Sequence, residues 1–323
     1  MPTLPEVTDK PSVREYQVVR LSKNNIADMA RLHNAVYGTT VAENYFEKKY
    51  DTAYTGVENV GFIAYNADNL PIAFYGVIPC FIQHKNKIIL VAQSADTMTH
   101  PQYRYKGMFV ELSNITFDLC KELSILLVFG FPNQNSYHGA VTKLGWQMAD
   151  TMACFNIDIK SFPLESLCNK IVILKKMYQA YCRFILKKFL LDVDGISNSV
   201  LKDDWAGIYR SNNYLQYKTY SSTKVISLAN ANIWASNKHG IMIGDMENVN
   251  EENFTLVIDK LRKLARKMGI KNIQFHCSTN ISLYKLFLAQ FKSTPSYPVL
   301  FQDFGSAISP EKIKFTFADI DIF

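Results

Sequence analysis

The sequence predicts an α/β protein: a mixed, mostly antiparallel sheet flanked by helices, followed by a second, smaller α/β unit. Three observations lead there. At 323 residues the chain exceeds what one compact core usually holds. Short apolar runs rich in β-branched and aromatic residues alternate with segments of helical period. The turn-forming stretch Asn66-Ala67-Asp68-Asn69 separates the strand-like runs Gly61–Tyr65 and Ile72–Ile78, which makes a hairpin.

Taken in order, Tyr16–Leu21 reads as a strand, and Asn24 reads as the N-cap of an amphipathic helix carrying Ile26, Met29, Leu32 and Val36. A short helix is expected at Ala42–Tyr50, then the hairpin, then a third antiparallel strand from Lys87 to Met98. That strand must stop at Pro101, which lacks a backbone donor and pushes its predecessor out of helix. A helix over Tyr105–Leu123, a buried strand over Ile125–Phe131, a short helix ending at Gly145 and a strand over Met148–Ile159 complete the first unit. The expected division is 1–160, a helical connector over 161–203, and 204–323. In the last part, strands are expected at Val225–Leu228, Ile241–Gly244, Ile270–His276, Pro298–Phe304 and Lys312–Phe317, with helices at Glu251–Met268 and Ile281–Phe291. The helix and strand at 251–276 echo those at 105–131, which suggests a degenerate internal repeat.

Hydrophobic content of 48% with 20% charged residues is that of a protein folded by burial. The net charge of +6 suits an anionic small molecule but is too diffuse for nucleic acid, and no nucleic-acid motif is present. The six cysteines are scattered without a C-x-x-C pair and read as reduced core thiols. Met1–Lys10 has no apolar segment of a secretory signal, so a cytoplasmic location is expected. The stretch Leu164–Leu191 is rich in large apolar residues, but Lys170, Lys175, Lys176, Arg183, Lys187 and Lys188 interrupt it too often for stable membrane insertion. It reads as a connector helix packed between the two units, with a peripheral amphipathic helix as the alternative. No Cys/His cluster suggests a metal.

The chemically informative segment runs from Val91 to Phe109. A strand enters the basic, glycine-containing turn Arg104-Tyr105-Lys106-Gly107-Met108-Phe109, which opens a helix, so backbone N–H groups and the positive helix end converge on one point. That is an anion site. With His100-Pro101 before it, and the apolar helix, buried strand, Asn-rich loop and Leu144-Gly145-Trp146 helix end after it, the chain resembles the GNAT acetyltransferase superfamily over about residues 16–159. The resemblance implies a coenzyme A thioester as donor, acetyl-CoA or a short hydroxyacyl-CoA. Its pyrophosphate would rest on Arg104, Tyr105, Lys106, Gly107, Met108 and Phe109, and its pantetheine would pair with the backbone of Thr97, Met98 and Thr99. Asn133 and Asn135 would touch its other side. Two departures stand out: Phe109 occupies a place the family usually gives to Gly or Ala, and Val141 stands where the family often has the tyrosine that protonates the leaving thiolate. Tyr137, one helical turn earlier on the same face, is the substitute acid.

Attack of a neutral amine on a thioester needs a base for the amine proton and donors for the oxyanion. Asp96 is the candidate base, placed by strand alternation on the face of Met98, whose backbone region supplies the donors. The competing reading makes Asp96 a buried structural acid bonded to Ser94 or a loop. His100 and His138 are further base candidates, and His138 is also an acceptor-binding candidate. The closing segment Phe315–Phe323 and the loop Arg210–Tyr217 resemble two-domain bacterial members that N-acylate nucleotide-linked amino sugars for surface polysaccharides. That resemblance implies such an acceptor, for example a dTDP-linked amino-dideoxyhexose, held by Arg210 at the diphosphate and by Tyr214, Tyr217 or Tyr75 (or Trp234) at the base. The same tyrosines also fit a reading as core. Two rival functions are a non-catalytic sensor of acyl-CoA or nucleotide sugar and an aminoacyltransferase of peptidoglycan synthesis built from tandem domains. Oligomeric state is not legible in the sequence.

Overall fold

A computed structural model describes residues 15–323 except 43, 163, 169, 170, 238 and 239, so Met1–Lys10, Lys170 and His239 lie outside the described residues. The first half runs β1 (Tyr16–Arg20), α1 (Asp28–Tyr37), α2 (Tyr45–Tyr50), β2 (Val60–Asn66), β3 (Pro71–His84), β4 (Lys87–Thr99), α3 (Met108–Glu122), β5 (Leu127–Gly130), α4 (Gln134–Leu144) and β6 (Gln147–Asp158). Two helices follow, α5 (Leu164–Cys168) and α6 (Val172–Leu186). The second half runs β7 (Gly207–Ile208), α7 (Asn212–Lys218), β8 (Thr223–Leu228), β9 (Ala231–Ser236), β10 (Ile241–Glu247), α8 (Phe254–Met268), β11 (Asn272–Cys277), α9 (Ser282–Leu288) and β12 (Ser293–Asp303).

The strands form a single sheet in the order β1-β2-β3-β4-β5-β12-β6-β11-β10-β9-β8, with β7 added beside β3. The order repeats about its centre. β2, β3 and β4 are antiparallel, β4 and β5 parallel, and β5 and β12 antiparallel. Likewise β8, β9 and β10 are antiparallel, β10 and β11 parallel, and β11 and β6 antiparallel. Each half therefore ends on a strand lent by the other, and the antiparallel pair β6 and β12 sits at the middle. The expected units 1–160 and 204–323 share this sheet instead of closing two separate ones.

Helices cover both faces of the first half. α3 follows from its sequence: Met108, Leu112, Thr116, Leu119 and Cys120 recur at helical spacing and are all buried. With Val60, Tyr75, Ala92, Val128 and Trp146 they form one core, while α1 and α2 enclose a second with Ile63, Phe74, Ala95 and Met98. The α4 end at Gly145 falls where expected, with that glycine in the left-handed conformation of a C-cap (φ 69°).

Several expectations are corrected. Asn24 does not cap α1. The residue before that helix is Ala27, and Asn25 instead accepts from the Ser22 backbone to close the preceding turn. Arg210–Tyr217 is not a loop, because Ser211 caps α7 through its side chain. The alternating segment Lys312–Phe317 makes only isolated bridges, at Ile313 and Thr316. There the chain turns instead of running straight: the Thr316 backbone and hydroxyl both reach the Asp319 carboxylate, and the Asp319 N–H bonds the Thr316 carbonyl.

Candidate active site

The site is built where β4 and β5 part. Their parallel pairing stops at Ser94↔Gly130, yet β4 continues to Thr99, paired with β3 alone among the described residues. A wedge opens there, edged by unpaired main chain. Within it β4 bulges: Ala95 faces Gly76 and Met98 faces Phe74, so Asp96 and Thr97 together oppose Tyr75. Asp96 takes the strained φ of 52° that the bulge requires. The bulge turns Ala95, Asp96 and Met98 toward the α1 and α2 side. Alternation alone anticipated only the last two.

Asp96 does not bond Ser94, whose hydroxyl donates to Tyr75. It pairs with Lys49 Nζ at 2.7 Å and accepts from the Tyr50 hydroxyl at 3.2 Å. Lys49 also reaches Asp321 at 2.8 Å, so a buried ammonium bridges two carboxylates that are 16% and 13% exposed. The trio keeps one net negative charge at the edge of solvent. Burial pushes the Asp96 carboxyl above its usual range, the Asp321 charge adds to this, and Lys49 opposes it. For Lys49, burial alone would depress the ammonium, but Asp321 and Asp96 outweigh it and hold its pKa well above the usual value. Neither Lys49 nor Asp321 was foreseen as a site residue. Tyr37, at the end of α1, was also missed: burial raises its pKa, the Asp96 charge adds to this, and Lys49 and Arg104 oppose it.

The Arg104–Phe109 turn, the expected anion site, has the backbone shape that expectation needs. Gly107 has φ 82° and open space where a Cβ would be, and it leads into the first turn of α3, where the Val110 and Glu111 N–H groups donate to its carbonyl. Arg104, Tyr105 and Lys106 are exposed, Tyr105 with a left-handed φ of 65°. Lys106 stands 3.8 Å from Glu15 and over the Tyr103 ring. Met108 is buried. Phe109 is accommodated because it packs over Gly139 of α4, where any Cβ would lie 3.0 Å from its ring. Thr97 and Thr99 are partly exposed, whereas the Met98 side chain is core, which leaves only its backbone for the wedge. The Asn133 side chain caps α4 by accepting from the N–H groups of Asn135 and Ser136, and Asn135 is exposed. Among the described residues, the Tyr137 hydroxyl meets only the weak acceptor Sδ of Met148, at 3.5 Å, and the ring packs with Val141 against the α3 core. His100 accepts from the Gln102 backbone through Nδ1, and His138 is exposed on α4.

The expected acceptor residues are corrected. Arg210 is buried and spent: it binds Asp245 at 2.6 Å, Asp319 at 2.7 Å, Thr316 and the Ser197 carbonyl, which leaves no donor for a diphosphate. Tyr214 and Trp234 belong to the core around it, and Tyr75 to the core beneath α3. The Tyr217 hydroxyl donates to the Lys49 carbonyl. Tyr214 and Tyr217 do line a cavity, but at about 10 Å³ it holds no more than a water.

The second half has a matching wedge that is closed. β10 and β11 stop pairing at Ile243↔Phe275, and β10 shifts register between Ile243 and Asp245. Here the closing segment fills the gap: Thr316 bridges Cys277, Ser278 donates to the Phe315 carbonyl, and the Phe323 ring lies where a Gly244 Cβ would be. The turn after β10, Asn248-Val249-Asn250-Glu251-Glu252-Asn253, is acidic and has no glycine. Asp245, at the bulge, is the counterpart of Asp96, and each is paired with a buried cation that it shares with a second carboxylate.

Residues 17–149 match the acetyltransferase (GNAT) domain. The wedge, the bulge and the glycine turn fall inside or beside those bounds, and the residues present suit an acyl-CoA. Over the whole fold, the chain is similar to a GCN5-related N-acetyltransferase from Kribbella flavida (9% identity, 90% of this chain and 72% of that chain, TM-score 0.54). It is similar also to a GCN5-related N-acetyltransferase from Anabaena variabilis (13% identity, 90% and 73%, TM-score 0.55). A structure from Pyrococcus horikoshii, 12% identical, aligns over 96% of this chain and 95% of its own with a TM-score of 0.56. At these identities the likeness is one of fold. No curated protein matches the sequence. The match over residues 17–149 is to a domain that uses acyl-CoA as donor, and the likeness over the rest of the chain is one of fold.

Proposed function

We propose that the chain transfers an acetyl or short hydroxyacyl group from acyl-CoA to a primary amine that enters from the α1 and α2 side, a nucleotide-linked amino sugar being the acceptor that the resemblance to two-domain bacterial members implies. The carrying observation is the Asp96–Lys49–Asp321 trio at the β4 bulge, beside the wedge. Its net negative charge attracts an ammonium, and Asp96, held above the usual carboxylate range, is suited to take the amine proton directly or through a water. The unpaired β4 edge offers main-chain groups to the pantetheine and the oxyanion. Tyr137, with no strong acceptor for its proton, serves as acid toward the thiolate. Because Arg210, Tyr214 and Tyr217 are structural, a nucleotide on the sugar is not required by this geometry, and free and nucleotide-linked amino sugars stand as equal candidates.

Thiol release from acetyl-CoA and 3-hydroxybutanoyl-CoA, measured against amino sugars and small amines, tests the reading. Release dependent on one amine is expected, reduced about a hundredfold or more in Asp96→Asn. Tight coenzyme A binding without release toward any amine would favour a sensor instead.

A further inference from the structure

Helix α6 turns two unlike faces outward at once. Tyr178 and Cys182 are buried, and the hydroxyls of Tyr178 and Tyr181 donate to the Met268 and Lys267 carbonyls, which straps the helix across the end of α8. The opposite side is apolar yet bare: Ile173 is 71% exposed, Met177 64% and Phe184 79%. With Ala180 these positions follow i, i+4, i+7 and i+11, so they form one stripe along a 15-residue helix. Lys176, Arg183 and Lys187 border the stripe on the arc between it and the strapped side, and Lys188 follows at its end, all exposed. No Asp or Glu occurs between Ser166 and Leu191. Large contiguous apolar surface of this kind marks a docking site.

We propose that α6 adsorbs this protein to an anionic lipid surface. The occupant must be apolar under the stripe and negative beside it, and it must accept a convex ridge; a bilayer interface rich in acidic headgroups is all three. A second copy of the chain seated on the same stripe would bring the basic borders together without an acidic residue to pair them. The helix lies in the interface and does not cross it: no helix among the described residues is long and apolar enough to span a membrane.

The test is flotation of the full chain with phosphatidylcholine vesicles, with and without phosphatidylglycerol. Binding is expected only with phosphatidylglycerol, and it should weaken as salt is raised. It should be lost in Ile173→Ser/Phe184→Ser and should fall about tenfold or more in Lys176→Glu/Lys187→Glu. Thermal melting should not change in either variant, because these side chains are already exposed. Equal binding to both vesicles, no binding to either, or a dimer in solution that Phe184→Ser dissolves would overturn the proposal. Turnover does not enter the readout, so failure here leaves the acyltransferase reading standing.

Discussion

Lys49 on α2 and Asp321 in the closing segment, 272 positions apart in sequence, meet at 2.8 Å beside the β4 bulge. The second half of the chain thus contributes a carboxylate to the candidate site in the first half. The contact is testable through the acid limb of the pH profile of kcat/KM, where a base must lose its proton to act. Asp321 raises the Asp96 pKa, so Asp321→Asn should lower it and move the limb to lower pH. Lys49 lowers it, so Lys49→Met should move the limb to higher pH. Shifts of opposite sign are required. A limb that stays put in both variants would remove Asp96 as the titrating base.

The anion turn makes a second prediction. Gly107 needs a φ of 82° and faces open space, so a glutamate there adds strain of about 1 kcal/mol and a negative charge but meets no clash. Gly107→Glu should abolish coenzyme A binding in calorimetry while the far-ultraviolet circular dichroism is unchanged. Retained binding would move the phosphate site elsewhere.

The legible features were those set by local pattern. The hairpin, α3, β4, the glycine turn and the α8 period are local, and each falls within a few residues of its expected place. The exchange of β6 and β12 is not local: their alternation says that they pair, but not with which neighbours. Lys49 was hidden because Glu47-Lys48-Lys49 on a short helix reads as a solvated face, and only tertiary packing buries its last residue. Arg210 was misread for the converse reason. A cation among tyrosines has the same sequence signature in a cleft as in a core, and its carboxylate partners lie 35 and 109 residues away.

Arg210 yields a third prediction. Its guanidinium satisfies Asp245 and Asp319, both of whose side chains are fully buried. Removing one partner of such a network leaves uncompensated charge, which costs about 3–5 kcal/mol. Arg210→Met should lower the urea midpoint accordingly. In whatever fraction stays folded, the KM for acyl-CoA should be unchanged, because the hydrogen-bond partners of the Arg210 side chain are Ser197, Asp245, Thr316 and Asp319 and none lies on the Arg104–Phe109 turn. A stable variant with a raised acceptor KM would instead return Arg210 to the acceptor site.

Phe323 tests the closed wedge of the second half. Its ring packs edge-on against Trp234 at 5.4 Å between centroids and occupies the space over Gly244, whose added Cβ would come within 2.1 Å of it. Phe323→Ala should cost about 3–5 kcal/mol through the cavity it leaves, and Gly244→Ala should destabilise through overpacking. A double variant should cost less than the two single changes added together, because the new methyl partly fills the new space. Asp321 is carried on the same segment, so loosening Phe323 should also weaken the hold on Lys49. In Phe323→Ala the acid limb should therefore drift to lower pH, in the direction of Asp321→Asn but by less. Full additivity in the melts, together with an unmoved limb, would show that the plug of the second wedge and the site of the first are independent.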